Sequence, residues 1–229
     1  MSASAPIHLR PTAPLSERVL LPGDPGRALA LAQTLLVEPR MFNHHRGLWG
    51  YTGTAPDGEP LTIQATGMGG PSAAIVLAEL IALGAGRAIR VGTCGALAPE
   101  LVLGEMVIAR EAICADGTSK ALGHHERVAA DPGLTDALIR QAPSARTGTI
   151  VSVDLFYDGG RAADFEALAV EMEAAALFAV GAAASVPVAC MLTVSDTFDS
   201  GGARRRIDDD SMLAAAERMG AAALAALSA

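Results

Sequence analysis

The sequence predicts an α/β fold in which a central mixed, largely parallel β-sheet is covered by helices on both faces. Apolar runs of strand length alternate with helix-period segments almost from end to end, and glycine-rich turns follow several of the runs. This alternation is typical of strand–helix–strand units, whose parallel strands are buried on both faces. A chain of 229 residues, 51% of them hydrophobic and 18% charged, can also bury a substantial core. No linker or internal repeat divides it, so we expect residues 1–229 to form one domain.

The elements follow in order from these patterns. The predicted strands are residues 18–21, 61–66, 88–91, 105–109, 149–153 and 188–194. The predicted helices are residues 26–36, 72–83, 133–141, 170–184 and 211–227. The second helix has the clearest ends, because Ser72 is placed to cap its start and Gly84 to close it. Residues 115–127 and 197–210 are polar and irregular, and we expect loops there.

The net charge and the cysteine content argue against several classes of function. The formal net charge of -8 gives no general attraction to nucleic acid or to an anionic membrane. The three cysteines, at positions 94, 114 and 190, are widely spaced, which favours a reducing compartment and no structural zinc site. The N-terminus lacks an apolar block of signal-peptide length, so we expect a cytoplasmic protein. Residues 174–194 carry no charge, but Pro187 interrupts them, which favours a buried helix followed by a buried strand over a membrane span.

Several arginines lie at or near glycine-rich turns and predict an anion site. Arg27 opens a helix directly after Gly23, where backbone N–H groups form an anion nest. Taken alone, this turn is more simply explained as an ordinary tight turn with Asp24 as a helix cap. Arg90 lies inside an apolar strand that leads into another predicted glycine-rich turn, Gly92-Thr93-Cys94-Gly95, and must be paired with an anion or a carboxylate. Together with Thr93 and Arg46, these arginines predict an oxyanion clamp.

The turn at residues 66–72 resembles a dinucleotide fingerprint only superficially. Ser72 occupies the third glycine position, and Arg87 stands where an acidic ribose ligand is expected. We therefore expect no dinucleotide cofactor.

The remaining candidate functional residues are carboxylates. Glu171 and Glu173 precede the most apolar predicted helix. For Glu171 alone the favoured interpretation is a solvated partner of the helix dipole. Glu173 is followed by a long uncharged run, so we expect it to point into a cavity, where it can accept both hydroxyls of a ribose. Asp196 ends a buried strand, a position at which open α/β sheets bind ligands and where an acid can donate a proton; the alternative is a cap for the next loop.

Six motifs in series carry a family resemblance that covers nearly the whole chain. They are Gly23-Asp24-Pro25-x-Arg27, Arg46-Gly47-x-x-Gly50-Tyr51-Thr52-Gly53, Gly67-Met68-Gly69-x-Pro71-Ser72, Arg90-Val91-Gly92-Thr93-Cys94-Gly95-Ala96, Val170-Glu171-Met172-Glu173-Ala174 and Ser195-Asp196. This string resembles the nucleoside phosphorylase family of the hexameric bacterial type. The resemblance implies a single domain with a distorted, barrel-like mixed sheet and a homohexamer built as a trimer of dimers. It also implies reversible phosphorolysis of purine nucleosides to free base and (deoxy)ribose 1-phosphate, with inorganic phosphate as co-substrate and no cofactor or metal.

The resemblance also implies a role for each matching residue. The phosphate ligands are Gly23, Arg27, Arg90 and Thr93, with Arg46 contributed by a neighbouring subunit. The nucleoside contacts are Met172 and Glu173 to the ribose, Phe156 on the base, Ser195 beside it, and His8 of the neighbour to the 5'-hydroxyl. Asp196 protonates the purine at N7.

One departure from the family pattern concerns the arginine that assists this acid. The loop after Asp196 is short and contains Arg204, Arg205 and Arg206, of which we assign Arg206 to the role. The alternative is that residues 204–206 are a solvent-exposed basic segment whose charge is balanced by the acidic residues at 208–210.

Three other functions are alternatives. A uridine phosphorylase would carry a glutamine and arginine pair after the aromatic, and Tyr157-Asp158-Gly159-Gly160-Arg161 contains no such glutamine. A methylthioadenosine-type nucleosidase uses water and lacks the arginine clamp. A noncatalytic nucleoside sensor would not require the acid, the ribose carboxylate and the phosphate arginines together.

Overall fold

The structure is a computed structural model that describes residues 6–157, 159–198 and 203–229. The strands are β1 (Arg18–Leu21), β2 (Val37–Asn43), β3 (Gly50–Thr54), β4 (Pro60–Gln64), β5 (Arg87–Ala96), β6 (Met106–Cys114), β7 (Arg127–Ala129), β8 (Arg146–Ser152), β9 (Ala169–Glu171), β10 (Val188–Phe198) and β11 (Arg204–Arg206). The helices are α1 (Pro25–Leu35), α2 (Gly70–Leu83), α3 (Gly117–Ala121), α4 (Pro132–Gln141), α5 (Ala174–Ala184) and α6 (Asp209–Leu227). Residues 199–202 of the predicted loop at 197–210, and Asp158, lie outside the described residues.

The sheet is mixed and closes on itself. β5, β10, β6, β8 and β9 pair in a ring, because β10 pairs with both β5 and β6 while β9 bridges β8 and β5. The strands β1, β4, β3 and β2 extend the sheet outward from β5, and β11 lies on the edge of β10. The neighbours β4, β1, β5 and β10 all run parallel, so their carboxyl ends lie at one edge. The predicted α/β fold with a distorted, barrel-like sheet is confirmed.

Helices cover both faces of this sheet, and two apolar clusters form the core. Alternate residues of β1 enter different clusters: Val19 and Leu21 face α2 and α5, whereas Leu20 faces α1, α4 and α6. This alternation follows from the period of two along a strand. Within the described residues, no helix combines the length and hydropathy that a bilayer crossing requires. The uncharged stretch at 174–194 is divided between α5 and the first part of β10, with Pro187 between them.

Side-chain caps explain where several helices begin. The carboxylates of Asp24, Asp131 and Asp208 accept the N–H groups at the starts of α1, α4 and α6, each at 2.8 Å. The prediction that Ser72 caps α2 was wrong, since the N-cap is Gly69 and the Ser72 hydroxyl donates to the carbonyl of Thr66 at 2.5 Å.

Two boundaries differ from the prediction in ways that matter for the site. β5 continues through Gly92-Thr93-Cys94-Gly95, which we predicted as a turn, because this stretch still pairs with β10 and β9. The helix predicted at 170–184 begins only at Ala174, and its first residues instead form β9. Its start is set by Glu171, whose carboxylate accepts the N–H groups of Glu173 and Ala174, each at 2.9 Å.

Candidate active site

Arg90 lies in the middle of β5 with its guanidinium between two carboxylates. Its Nε donates to Oε2 of Glu171 at 3.0 Å, and a terminal nitrogen donates to Oε2 of Glu173. Arg90 is 3% exposed, and Glu171 and Glu173 are 5% and 6% exposed. Charges this deeply buried persist only when they are paired and hydrogen-bonded. The requirement for an anionic partner, inferred from the apolar strand, is therefore met by two glutamates.

Glu171 is buried, so its interpretation as a solvated dipole partner was wrong. Besides Arg90 and the two N–H groups at the start of α5, the hydroxyl of Ser152 donates to its carboxylate. The Oγ of Ser152 in turn accepts the N–H of Ala175 at 2.9 Å. Burial raises the pKa of Glu171, and the positive charge of Arg90 and the hydrogen bonds from these donors act in the opposite direction. Sequence reasoning missed Ser152, although a hydroxyl at the end of the apolar strand β8 was a usable signal.

Glu173 joins the start of α5 to the glycine turn that precedes α2. Its Oε1 accepts the N–H of Gly69 at 2.5 Å, and Gly69 has a φ of 86° that favours glycine. Among the described residues, each oxygen of this carboxylate is thus engaged by one donor. Since a carboxylate oxygen has two lone pairs, each still has an acceptor position for a ligand hydroxyl.

Two guanidinium groups, each with a buried nitrogen that lacks a partner in the described part of the chain, border Gly23. Nη1 of Arg27 and Nη1 of Arg90 have no hydrogen-bond partner among the residues that the structure describes. A Cβ placed on Gly23 would lie 3.9 Å from Nη2 of Arg27 and 3.9 Å from Nη1 of Arg90, so both guanidinium groups border this glycine. Burial, followed by the charge of Arg90, lowers the pKa of Arg27. An anion here would satisfy the free donors and offset the repulsion between the cations.

Gly92 provides the space for the Arg90 guanidinium. A Cβ on Gly92 would lie 2.8 Å from Cζ of Arg90 and 3.1 Å from Cδ2 of Leu192. Glycine is therefore required here by close approach, although its strand conformation is ordinary. Thr93 follows, half-buried opposite Thr193 of β10, and in the described part of the chain no hydrogen bond joins it to Arg27 or Arg90.

Asp196 lies near the end of β10 beside an arginine supplied by β11. The pairing of these strands places Asp196 opposite Arg206, whose Nη1 is 3.4 Å from Oδ1 of Asp196. Nε of Arg204 is 3.9 Å from the same oxygen. Asp196 is 5% exposed, whereas the Arg206 side chain is 67% exposed. Arg206 can therefore move without disturbing the packing around the acid.

Ser195 lets the surroundings of Asp196 accommodate either protonation state. Its Oγ lies 2.7 Å from Oδ2 of Asp196 and 3.2 Å from the carbonyl oxygen of Cys94. When Asp196 is ionised, Ser195 donates to it. When Asp196 is protonated, it can donate to Oγ while the Ser195 hydroxyl donates to Cys94, because a hydroxyl both gives and accepts.

Aromatic side chains lie against Arg204, the arginine whose Nε is 3.9 Å from Asp196. Phe156 is 46% exposed, and the Arg204 guanidinium lies 4.4 Å from its ring centroid and 5.5 Å from that of Phe198. Tyr157 packs edge-on against Phe156 with 5.0 Å between centroids. The result is an accessible aromatic surface close to Asp196, suited to a flat heterocycle.

In the described part of the chain, the side chains of the remaining predicted residues make no hydrogen bond or ion pair to the buried arginines and glutamates. Arg46 is exposed, at a φ of 59°, and His8 is half-buried with its Nδ1 2.7 Å from Oε1 of Glu79. Neither makes a hydrogen bond or ion pair to Arg27 or Arg90 within the described ranges. Met172, half-buried between Glu171 and Glu173, makes no hydrogen bond through its side chain there.

Comparison with known proteins assigns the family. A model of the Phosphorylase superfamily matches residues 17–228. The "Purine nucleoside phosphorylase DeoD-type" of Alkaliphilus metalliredigens is 36% identical over 202 residues, covering 82% of this chain and 85% of the relative. A protein of the same name from Bacillus cereus is 38% identical over 200 residues, covering 82% and 84%. A third, from Clostridium beijerinckii, is 36% identical over 209 residues, covering 85% and 87%. The family prediction from the six motifs is confirmed, and the chain belongs to the Phosphorylase superfamily.

Proposed function

We propose that this protein is a purine nucleoside phosphorylase, a pentosyltransferase that converts a purine nucleoside and phosphate to free base and (deoxy)ribose 1-phosphate. The observation that carries the proposal is that the guanidinium groups of Arg27 and Arg90 both border Gly23, each with a buried nitrogen that has no partner among the described residues, and that Arg90 also bonds the carboxylate of Glu173. An anion and a hydroxyl-bearing sugar fit side by side in such an arrangement. The DeoD-type names of the relatives support the same substrates.

The phosphate occupies the space at Gly23 and receives donors from Arg27, Arg90 and Thr93. These groups fix one phosphate oxygen for attack on C1' of the nucleoside, which converts a bimolecular encounter into a positioned reaction. Arg46 of a neighbouring subunit completes the clamp.

The ribose lies over Glu173 and Met172. As the bond from C1' to the base breaks, the ring becomes oxocarbenium-like and positive charge develops on it. Glu173 accepts the ribose hydroxyls and stabilises that charge, and His8 of a neighbouring subunit binds the 5'-hydroxyl.

The base packs on Phe156 with N7 facing Asp196. The electron pair of the broken glycosidic bond moves into the purine, and the proton of Asp196 transfers to N7. Arg206 and Ser195 stabilise the carboxylate that remains. We further propose that residues 1–229 form one domain and that the protein is a cytoplasmic homohexamer with shared sites. Inorganic phosphate is the co-substrate, and no cofactor is added.

The test is a panel of purine and pyrimidine nucleosides incubated with purified protein, with and without phosphate. We expect release of purine base only when phosphate is present, with ribose 1-phosphate as the second product. Release of base without phosphate would indicate a nucleosidase. Cleavage confined to uridine would indicate a uridine phosphorylase, and tight nucleoside binding without turnover would indicate a sensor.

A further inference from the structure

Glu79, on the outer part of α2, binds the N-terminal segment of residues 7–9. Its Oε1 accepts the N–H groups of Ile7 and His8, each at 3.0 Å, and its Oε2 accepts that of His8 at 3.0 Å and that of Leu9 at 2.7 Å. The His8 ring adds a contact of 2.7 Å from Nδ1 to Oε1. One carboxylate therefore receives three consecutive backbone groups and a side chain.

The charge of Glu79 is stabilised by this arrangement. Its side chain is 14% exposed, and burial alone would raise its pKa, but the hydrogen bonds from residues 7–9 and from the His8 ring lower that pKa to about 2. Leu9, 1% exposed, anchors the same segment in the apolar core. The segment is thus fixed from two sides, by a buried leucine and by an ionised carboxylate.

The contact with Glu79 also fixes the chemistry of the His8 ring. Because the carboxylate is an acceptor, Nδ1 of His8 carries the hydrogen and Nε2 is left as the free ring nitrogen. The ring is 32% exposed, and within the described ranges Nε2 has no hydrogen-bond partner. The backbone carbonyl of His8 is separately held by Nδ1 of His45 at 2.9 Å. Backbone, ring plane and tautomer of His8 are therefore all specified.

We propose that Glu79 is a positioning residue that sets the orientation of His8 for binding the 5'-hydroxyl of the nucleoside in the site of a neighbouring subunit. This rests on the proposed function, in which His8 makes that contact. Glu79 itself touches no substrate and acts entirely through His8.

A purely structural role makes a different prediction. If Glu79 only secured the N-terminal segment, its loss would change stability or activity equally for every nucleoside. A positioning role makes the loss depend on the 5'-hydroxyl and on the presence of His8.

The test compares kcat/KM for inosine with that for 5'-deoxyinosine in wild type, Glu79→Gln, His8→Ala and the double variant. A glutamine has only one oxygen, so in either orientation its amide N–H₂ faces N–H donors that Glu79 now accepts. We expect the inosine to 5'-deoxyinosine ratio to fall about 5- to 20-fold in Glu79→Gln, the effect of about one hydrogen bond. His8→Ala should lower the ratio at least as far, and adding Glu79→Gln to it should change nothing more.

The matched control is Glu217→Gln, at an exposed position on α6, which should retain the wild-type ratio. Thermal unfolding of each variant separates loss of fold from loss of orientation. A wild-type ratio in Glu79→Gln, whether kcat/KM is unchanged or falls equally for both substrates, would overturn the role of Glu79 while leaving phosphorolysis intact. Absence of phosphate-dependent cleavage by wild type would instead overturn the proposed function, and with it this role.

Discussion

The two arginines beside Gly23 differ in what they do for the fold. Arg90 pairs with two buried glutamates, whereas Nη1 of Arg27 has no partner in the described residues and its guanidinium is repelled by Arg90. We therefore expect Arg90 to contribute to stability as well as to anion binding. Arg27 is held near a like charge, an arrangement that favours an anion between them.

Substituting the two arginines separately tests this division. Arg27→Ala should raise KM for phosphate and remove about 2–4 kcal/mol of transition-state stabilisation, as for one strong charged donor, while the unfolding free energy stays the same or rises. Arg90→Ala should impair phosphate use and also lower the unfolding free energy by about 3–5 kcal/mol, because two buried carboxylates lose their partner. Phosphate kinetics and denaturant unfolding measure the two effects. Equal stability of the two variants would contradict the division.

At this scale the sequence predicts charged residues well where a strand or turn isolates them from other polar groups. Arg90 and Asp196 were identifiable because each follows or interrupts an apolar run. The partners of Arg90 were not, since Glu171 and Glu173 are separated from it by 81 and 83 positions and are brought close only by the insertion of β9 beside β5. Glu79 carried no signal at all, because its ligands are backbone groups of a distant segment.

Among the elements, the hairpin of β3 and β4 is joined through Asp57 to the start of β1 by an ion pair and to the end of the C-terminal helix by a hydrogen bond. Asp57, in the hairpin turn, lies 2.6 Å and 3.1 Å from two nitrogens of Arg18 and accepts the hydroxyl of Ser228 at 2.6 Å. Arg18 begins β1, and Ser228 follows α6. Hydrogen bonds from Arg18 and then from Ser228 hold the pKa of Asp57 well below its usual range. This contact joins three elements that are distant in sequence.

Removing the Asp57 charge should therefore have a pH-dependent cost. A carboxyl group whose pKa is lowered by folding stabilises the folded state at any pH above its pKa in the unfolded chain, which is about 4. This contribution is lost as the pH falls from there towards the pKa in the folded state. We expect Asp57→Asn to lower Tm at pH 7 by about 3–6 °C, with a smaller difference at pH 3. Asp136→Asn is the matched control, because its ion pair with Arg110 is 3.6 Å long and more than half exposed on both sides. A Tm difference for Asp57→Asn that grows on acidification would refute the contact's role.

Element prediction succeeded where burial was continuous. β1 begins and ends as predicted, and α4 starts within one residue of the prediction. The strands β2 and β3 were missed for different reasons. β2 is mostly exposed, whereas β3 contains Gly50 and Gly53, where a Cβ would crowd the Gln64 side chain and the carbonyl oxygen of Val37. The start of α5 was misplaced because helical periodicity does not register a carboxylate that caps the helix from a preceding strand.

On the scale of the whole molecule, His8 and Arg46 lie on segments that are bound to each other. Nδ1 of His45 contacts the carbonyl of His8 at 2.9 Å, and the N–H of Arg10 donates to Oδ1 of Asn43 at 2.9 Å. Arg46 is exposed, with a left-handed backbone conformation held by this loop. The two side chains are therefore presented together, as a pair that a neighbouring subunit's site could receive.

Mixing two inactive variants tests whether sites are shared between subunits. Arg46→Ala protomers retain Asp196, and Asp196→Asn protomers retain Arg46, so reassembled mixtures should contain hybrid sites with both residues intact. We expect the mixture to exceed the summed activity of the two variants, measured with inosine after dissociation and reassembly. An active monomer in sedimentation, or a mixture with no gain, would contradict shared sites.

Whether Asp196 protonates the purine at N7 is decided by comparing kcat of Asp196→Asn on inosine and on 7-methylguanosine. An ordinary purine needs the proton to leave, whereas the ring of 7-methylguanosine is already cationic. Asp196→Asn should therefore lower kcat for inosine by about 10²- to 10⁴-fold, and much less for 7-methylguanosine. Glu173→Ala, which removes the ribose contact, should impair both substrates alike. If Asp196→Asn slowed the two substrates equally, Asp196 would be a positioning or capping group and the proton-transfer account would be wrong.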